Sequence, residues 1–357
     1  MSAPEILDAS RPEHAERWRT IWESWPEREV FAHPGYVSLE ANGTTHRALA
    51  AVIQSRDGTV LYPFVLRRLE DQAWWSPDVG RAADITSPYG YGGPFVWGSG
   101  DRTILAAAFW SAFDAWAATE GIVAEFVRFS LGECEHLPYP TQRVYIQDNI
   151  VRSLEPELED IWMDAAPKVR KNVKRAQRDG VEVIHDSGEG LDSFLEIYTE
   201  TLSRRGAAQR YYFDRAYFDR LQSGLPGQFR YFHACLNGRV ISSELVLVSA
   251  KRVYSFLGGT LADAFNHRPN DLLKFEIIRW AREHGKREFV LGGGFEPDDG
   301  IFKYKLAFAP NGASPFYVGR RILRSSTYDA LVQNRIRGAD SEAWITSSLN
   351  YFPRYRA

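Results

Sequence analysis

Three β-rich runs follow one another with almost nothing between them: Phe229 to Leu236, Arg239 to Val248 and Arg252 to Leu257. The first gap is Asn237-Gly238, a dipeptide that accepts the positive φ angles of a two-residue hairpin turn. The stretch therefore predicts a three-stranded antiparallel meander, and this constrains the fold more than any other feature. Helical spacing flanks it, with helices expected over Leu158 to Asp179 (stopped by Gly180), Leu191 to Arg204, Tyr217 to Ser223 and Leu272 to Gly285. Val181 to His185, Glu288 to Leu291 and Phe316 to Leu323 read as strands, and the tail beyond reads as helical.

The N-terminal part repeats this order of elements without repeating its sequence. Arg47 to Ile53 and Val60 to Leu66 predict a hairpin around Asp57-Gly58, and a Pro-Gly turn lies between Phe31 and Tyr36. Ser87 to Pro94 is too rich in Gly and Pro for regular structure and predicts a loop. A helix is expected over Ile104 to Gly121 and a strand over Glu125 to Phe129. Hairpin or meander, long helix, buried strand: the same α+β unit is expected twice. A chain of 357 residues exceeds the usual size of one hydrophobic core, so two domains are expected. Their bounds are set at 1–150, completed by 316–357, and 151–315.

Composition narrows the class. A hydrophobic fraction of 44% with 25% charged residues is that of a globular protein, and 14% aromatic residues argue against disorder. Cys134 and Cys235 lie far apart without a CxxC partner, which excludes a zinc ribbon and a disulfide framework. Met1 to Glu16 is polar and acidic and no window is apolar enough to span a bilayer, so a cytoplasmic protein without integral membrane association is expected, most simply a monomer. A net charge of -3 rules out a globally basic nucleic-acid coat but not a local patch.

One such patch runs from Lys168 to Arg178, with six cations and no acid on a predicted helix. Positions 170, 171, 174, 175 and 178 share a face, where like charges weaken the helix unless a polyanion answers them; the bland alternative is a solvated surface. Ser203 to Phe213 is a basic and aromatic connection suited to phosphate and ring contacts, or simply an interhelical loop. Gly292-Gly293-Gly294 follows a strand and permits either a bulge or a close backbone approach to a ligand. It is neither G-x-G-x-x-G nor a P-loop, and no helix pattern is evident after it. Residues 302 to 308 alternate aromatic and cationic side chains, which in an extended chain puts Lys303 and Lys305 on one face. No nucleophile elbow, zinc-protease helix, EF-hand or kinase set is present, and His33, His233 and His267 read as structural or surface residues. Neither a metal nor another cofactor is expected.

Taken in order, Lys168 to Gly180, Tyr254-Ser255-Phe256-Leu257-Gly258, Asp271 to Gly285, Gly292-Gly293-Gly294 and Tyr304-Lys305 before Phe308 resemble the Fem-type aminoacyltransferases. Ser87 to Pro94 and Glu125 to Phe129 resemble the N-terminal half of that family, so the likeness runs from about residue 31 to 323. The resemblance implies two tandem GNAT-like domains, each a mixed, mostly antiparallel sheet flanked by helices. It implies transfer of an aminoacyl group from aminoacyl-tRNA to the amine of a peptide or peptidoglycan-precursor-like acceptor. Tyr304-Lys305 matches the family's aromatic-Lys motif, Tyr254 the strand-end tyrosine near the acceptor, and Arg205 with Tyr211 and Tyr212 the loop that contacts it. Lys305 and Tyr254 are thus the catalytic candidates. Tyr304, Gly292 and Gly293 join the substrate-binding set, and Lys168, Arg170, Lys171, Lys174 and Arg175 are the tRNA-binding candidates.

The chain departs from the family in two places. Asp186 to Tyr217 is too short for the coiled-coil arm of some members, and the R/Q-x-x-G-x-G/A pyrophosphate loop of acetyl-CoA enzymes is absent. The implied chemistry is direct attack of an amine on an ester, without a covalent intermediate. Lys305 would stabilise the tetrahedral oxygen or hold the tRNA 3′ phosphate, backbone N–H groups at Gly292 to Gly294 would serve an oxyanion, and Asp271, Glu276 and Asp299 are the candidate bases. The alternatives are an acyl-CoA-dependent N-acyltransferase on the same fold and a noncatalytic module that binds RNA or a cell-wall precursor.

Overall fold

Asn237 and Gly238 both take positive φ, 51° and 78°, and the meander they turn forms as the sequence predicts. The computed structural model describes residues 3–41, 45–132, 135–296, 298–338 and 341–357; Cys134 lies outside them. In chain order the elements are β1 (Glu5–Asp8), α1 (Pro12–Glu23), α2 (Pro34–Leu39), β2 (His46–Gln54), β3 (Thr59–Arg68), β4 (Ala83–Thr86), β5 (Phe95–Trp97), α3 (Arg102–Glu120) and β6 (Ile122–Arg128). They continue with β7 (Val144–Ser153), α4 (Leu158–Asp164), α5 (Pro167–Arg178), β8 (Glu182–Asp186), α6 (Leu191–Arg205), α7 (Arg215–Gly224), β9 (Phe229–Leu236), β10 (Arg239–Val248) and β11 (Arg252–Thr260). The last are α8 (Pro269–Glu283), β12 (Glu288–Gly292), α9 (Gly300–Leu306), β13 (Ala313–Ile322), α10 (Ser325–Gly338) and α11 (Ser341–Ser348).

Two compact units result. The first comprises Met1–Trp25, Phe31–Ile146 and Phe316–Ala357, the second Pro26–Val30 and Gln147–Pro315. In the first, strands run in the order β1-β2-β3-β4-β6-β13, antiparallel except for the parallel pair β4–β6. In the second the order is β7-β12-β11-β10-β9-β8, with β11–β12 the parallel pair. Each is a mixed, mostly antiparallel sheet flanked by helices, the α+β architecture expected.

The packing follows from the pleat. In the first unit Tyr62, Phe64 and Leu66 of β3 face α3, whose Phe109, Trp110 and Phe113 pack on them. Leu61 and Val65 face the other way, toward Trp18 and Trp22 of α1. Glu125 of β6 is fully buried on the α3 side, where it accepts from Tyr62 Oη (2.6 Å), Tyr139 Oη (3.0 Å) and Arg321 Nη1 (3.2 Å). In the second unit α8 and α5 cover one face through Leu273, Ile277, Val169 and Val173. The other face carries Tyr231, against which Phe194 of α6 packs at 5.1 Å.

Three local expectations fail for identifiable reasons. The helix expected over Leu158 to Asp179 is broken into α4 and α5, because Ala166 precedes Pro167 and is held extended at ψ 143°. Residues 302 to 308 are not extended: Asp299 accepts from Phe302 N at 2.7 Å and starts α9, so Lys303 and Lys305 point to different sides. Residues 26–30, placed by sequence in the first domain, pack with the second unit. There Glu29 is buried and accepts from Ser249 Oγ (2.6 Å), Tyr254 Oη (2.7 Å) and Arg252 Nη1 (2.9 Å).

Candidate functional site

The parallel strands of the second unit stay paired for three residues and then part. Arg252, Val253 and Tyr254 face Glu288, Phe289 and Val290, and beyond them β11 and β12 separate. Backbone groups freed by such a separation need other partners, and the carboxyl ends of parallel strands are where open sheets take ligands. Two lysines reach this point. Lys274 of α8 donates to Ser255 Oγ on β11 (2.8 Å) and to Glu244 Oε1 on β10 (2.5 Å), while Lys305 of α9 donates to the Gly293 carbonyl just past β12 (2.6 Å).

The sequence builds this place with small means. A register shift between Val290 and Gly292 against β7 marks a bulge, and Gly292 fits it with φ 79°. A Cβ on Gly293 would lie 2.5 Å from Gln147 Nε2 and 2.6 Å from Asn149 Oδ1, so any other residue here would push these two β7 side chains aside. Of the two readings the glycines allowed, the bulge is present at Gly292. Asp299 then turns the chain into α9 and aims Lys305 back at Gly293.

The electrostatics set Lys305 apart. Burial, and then the Lys274 cation, bring its amine down to about 8 from an ordinary value of 10.5. Lys274 itself is buried and paired with buried Glu244. Asp271, buried one turn before Lys274, accepts from Asn172 Nδ2 of α5 (3.1 Å), and burial raises its carboxyl above the usual range. Tyr304 accepts from Asn270 Nδ2 (2.9 Å), and burial beside the Asp271 and Glu244 carboxylates holds its hydroxyl protonated. Of the other candidate bases, Asp299 is held low by backbone N–H donors, first that of Phe302, and Glu276 is raised by burial but ion-paired to Arg279 on α8.

Lys305, Tyr304, Gly292 and Gly293 are thus brought together, with Glu244, Lys274, Ser255, Asp271 and Asn172 completing the cluster. Sequence reading missed Glu244, Lys274 and Ser255. The available signal was a glutamate immediately before the apolar run Leu245 to Val248 and a lysine between Leu273 and Phe275 on the buried stripe of α8. Tyr254 is not part of the cluster. Alternation along β11 turns it to the α6 side, where its hydroxyl donates to Glu29. Arg205, at the exposed end of α6, and the half-buried Tyr211 and Tyr212 also belong to that side.

The basic helix α5 buries Val169, Val173 and Ala176 and presents its cations outward. Pro167, Arg170, Lys171, Lys174, Gln177 and Arg178 line an open concavity of 760 Å³. Not all the cations are equally available: Arg170 donates to the carbonyls of Met163 (2.8 Å) and Ala165, which caps the end of α4, and Arg175 lies 3.8 Å from Asp179. Asn172 of α5 reaches Asp271, which sets the inner face of this helix against the lysine cluster.

A Ser-His-Asp arrangement is also present, with His233 Nδ1 2.9 Å from Ser243 Oγ and Nε2 2.9 Å from Asp186 Oδ2. Ser243 and His233 are 2% and 1% exposed, so no substrate reaches the hydroxyl and the set is a core polar network. Among the described residues no group of three or more His, Cys, Asp or Glu side chains is arranged to hold a metal ion, and no helix is long and apolar enough to cross a membrane.

Comparison with known proteins agrees with this fold. Residues 167–306 match the acetyltransferase (GNAT) domain family, a span that contains α5, the meander, α8 and α9. Among solved structures, FemX superimposes with a TM-score of 0.66 at 13% identity, covering 88% of this chain and 98% of FemX. A conserved protein of unknown function from Bacteroides thetaiotaomicron gives 0.56 at 12% identity, covering 90% and 99%. The C-terminal domain of a putative lysylphosphatidylglycerol synthetase from Agrobacterium fabrum gives 0.52 at 16% identity, covering 91% and 96%. No curated protein sequence matches the chain. The chain has a FemX-like GNAT fold, and the domain match supports an acyltransferase function.

Proposed function

We propose that this FemX-like chain is an aminoacyltransferase that moves an aminoacyl group from aminoacyl-tRNA to the amine of a peptide or peptidoglycan-precursor-like acceptor. One observation carries the proposal: an amine with its pKa brought down to about 8, Lys305, sits where two parallel strands part, in a cluster that also holds a buried carboxyl raised in pKa, Asp271. In the reaction the acceptor amine attacks the ester carbonyl, the C–N bond forms, the C–O bond to the ribose breaks, and the ribose oxygen leaves with a proton. Chain groups need only align the partners and meet the charge that develops.

Lys305, still mostly protonated at neutral pH, donates to the tetrahedral oxygen or to the 3′ phosphate of the tRNA. Asp271 is the candidate to take the proton that the acceptor amine sheds as it attacks and to return it to the leaving ribose oxygen, because a raised carboxyl pKa lies nearer the working pH. Gly292 and Gly293 shape the opening, and Tyr304 packs beneath it. Lys168, Lys171, Lys174 and Arg175 are assigned to the tRNA backbone, with Arg170 left to hold α4. Arg205, Tyr211 and Tyr212 are assigned to distal parts of the acceptor, and Tyr254 to positioning through Glu29. The protein acts in the cytoplasm, where charged tRNA is found, and as a monomer.

A second reading, acyl-CoA-dependent N-acylation at the same lysine cluster, is favoured by the match of residues 167–306 to an acetyltransferase domain. Incubation with a mixture of charged tRNAs, acyl-CoAs and amine acceptors, followed by product masses, separates the two. An aminoacylated acceptor formed only with charged tRNA supports the first, and an acylated product formed only with acyl-CoA replaces it. Binding of either donor without any product would make the chain a noncatalytic module.

A further inference from the structure

A second cluster of charged groups lies in the first unit, on the sheet face opposite α3. Arg67 of β3, Asp84 of β4 and Arg128 of β6 all point to this face, because Leu66, Ile85 and Val127 beside them point into the α3 core. Asp84 is fully buried and takes Arg67 Nε at 2.7 Å and Arg356 Nε at 2.6 Å. Burial alone would raise its carboxyl, but the two guanidinium groups bring it below its ordinary value. That one carboxylate is shared by two cations, and Nη2 of Arg356 is buried with no hydrogen-bond partner.

Arg128 has still less. Its guanidinium lies over the Phe126 ring at 4.9 Å, and among the described residues no hydrogen bond to it is formed. Burial is the first cause that lowers its pKa, and the Arg67 cation adds to it. Glu40, at the end of α2, feels both Arg128 and Arg67 without touching either, and burial holds its carboxyl above the usual range. His46 is likewise pushed down, by burial and then by Arg67 and Arg356. The guanidinium groups of Arg67, Arg128 and Arg356 thus outnumber the one carboxylate bonded to any of them among the described residues, Asp84.

Such an arrangement costs stability unless an anion answers it, because the Arg128 guanidinium and Nη2 of Arg356 have lost water without gaining a hydrogen-bond partner. Planar guanidinium forks match the oxygens of a carboxylate or phosphate. We propose that Arg67 and Arg128, backed by Arg356, form a binding site for an oxyanion, the carboxylate or phosphate group of a small molecule. The site belongs to the first unit alone and is independent of the lysine cluster and of the reaction proposed there.

The test uses the full chain and four probes, inorganic phosphate, pyrophosphate, acetate and citrate, titrated calorimetrically and by thermal shift. At least one is expected to bind and raise the melting temperature, and the phosphate and carboxylate arms tell which oxyanion the site takes. Arg128→Met keeps the stem on Phe126 and removes the charge. It is expected to weaken binding about ten-fold or more while leaving the melting temperature unchanged or higher. Glu40→Gln is expected to tighten binding several-fold by removing a competing negative charge. If no probe binds, or if Arg128→Met and Glu40→Gln both lower the melting temperature and leave affinity untouched, the cluster is a structural ion network around Glu40.

Discussion

Each unit contains one parallel strand pair, and the two pairs end differently. In the first unit β4 and β6 stay zipped past their last paired residues: Ser87 N donates to the Phe126 carbonyl, Arg128 N donates to Ser87 Oγ, both at 2.9 Å, and Gly92 bridges to Phe129. The nearby buried carboxylate, Glu125, has its oxygens answered by two tyrosines and an arginine. In the second unit β11 and β12 part after Tyr254 and Val290; beyond that point Lys274 of α8 holds the Ser255 hydroxyl and Lys305 of α9 holds the Gly293 carbonyl. A zipped pair backed by a satisfied network is built for stability. A parted pair beside a lysine of lowered pKa carries a cost in stability.

The sharpest way to break this contrast is through the buried pair Glu244–Lys274. Glu244→Ala leaves Lys274 buried without its partner and is expected to cost about 3–5 kcal/mol in urea unfolding. A loss below about 1 kcal/mol would mean that the pair is hydrated and the cluster is ordinary surface.

Next in size is a pH effect with a definite sign. The folded-state pKa of Lys305 lies near 8 and its unfolded value near 10.5, so the unfolded chain binds the extra proton between them. Lys305 therefore destabilises the fold most below about pH 8, and its penalty is relieved as pH rises through about 10.5. Lys305→Met is expected to raise stability at pH 7 by up to about 3 kcal/mol and to flatten the pH dependence over that window. Equal slopes in wild type and variant would show that the amine is not perturbed.

Smaller again is Tyr254→Phe, which removes one hydrogen bond to buried Glu29. It is expected to cost about 1–2 kcal/mol of stability with the transfer rate within about two-fold of wild type. A large fall in rate at unchanged stability would return Tyr254 to the reaction. The mildest test is on α5: Lys168, Lys171 and Lys174 changed together to Gln should weaken tRNA binding and reduce the salt slope by about 2–3, leaving melting unaffected. An unchanged slope would make that face solvated surface.

Much of the fold was legible because turns and periodicity are local. Asn237-Gly238, Asp57-Gly58 and the spacing in Leu105, Phe109 and Phe113 each act within a few residues, and β9–β10, β2–β3 and α3 follow from them. The break before Pro167 was written in the chain but overrun by helical spacing on both sides. At 302 to 308 a short period-2 pattern competed with the Asp299 cap, and the cap won because it supplies hydrogen bonds that alternation does not. Family likeness brought Lys305 forward. It did not bring Glu244 or Lys274, since a glutamate in a strand and a lysine in an amphipathic helix look like surface residues until the sheet and α8 set them against each other.

The most direct measurement compares the two strand pairs in one assay. Single-turnover transfer, with the donor and acceptor fixed by product mass, is to be timed for wild type, Lys305→Ala and Ser87→Ala. Lys305→Ala is expected to slow transfer by about 10²–10³-fold with its fold intact, the size of effect seen when one charge-stabilising donor is lost. Ser87→Ala should stay within a few-fold of wild type. An unchanged rate for Lys305→Ala, or an equal loss in both variants, would contradict the assignment of acyl transfer to the parted strands of the second unit.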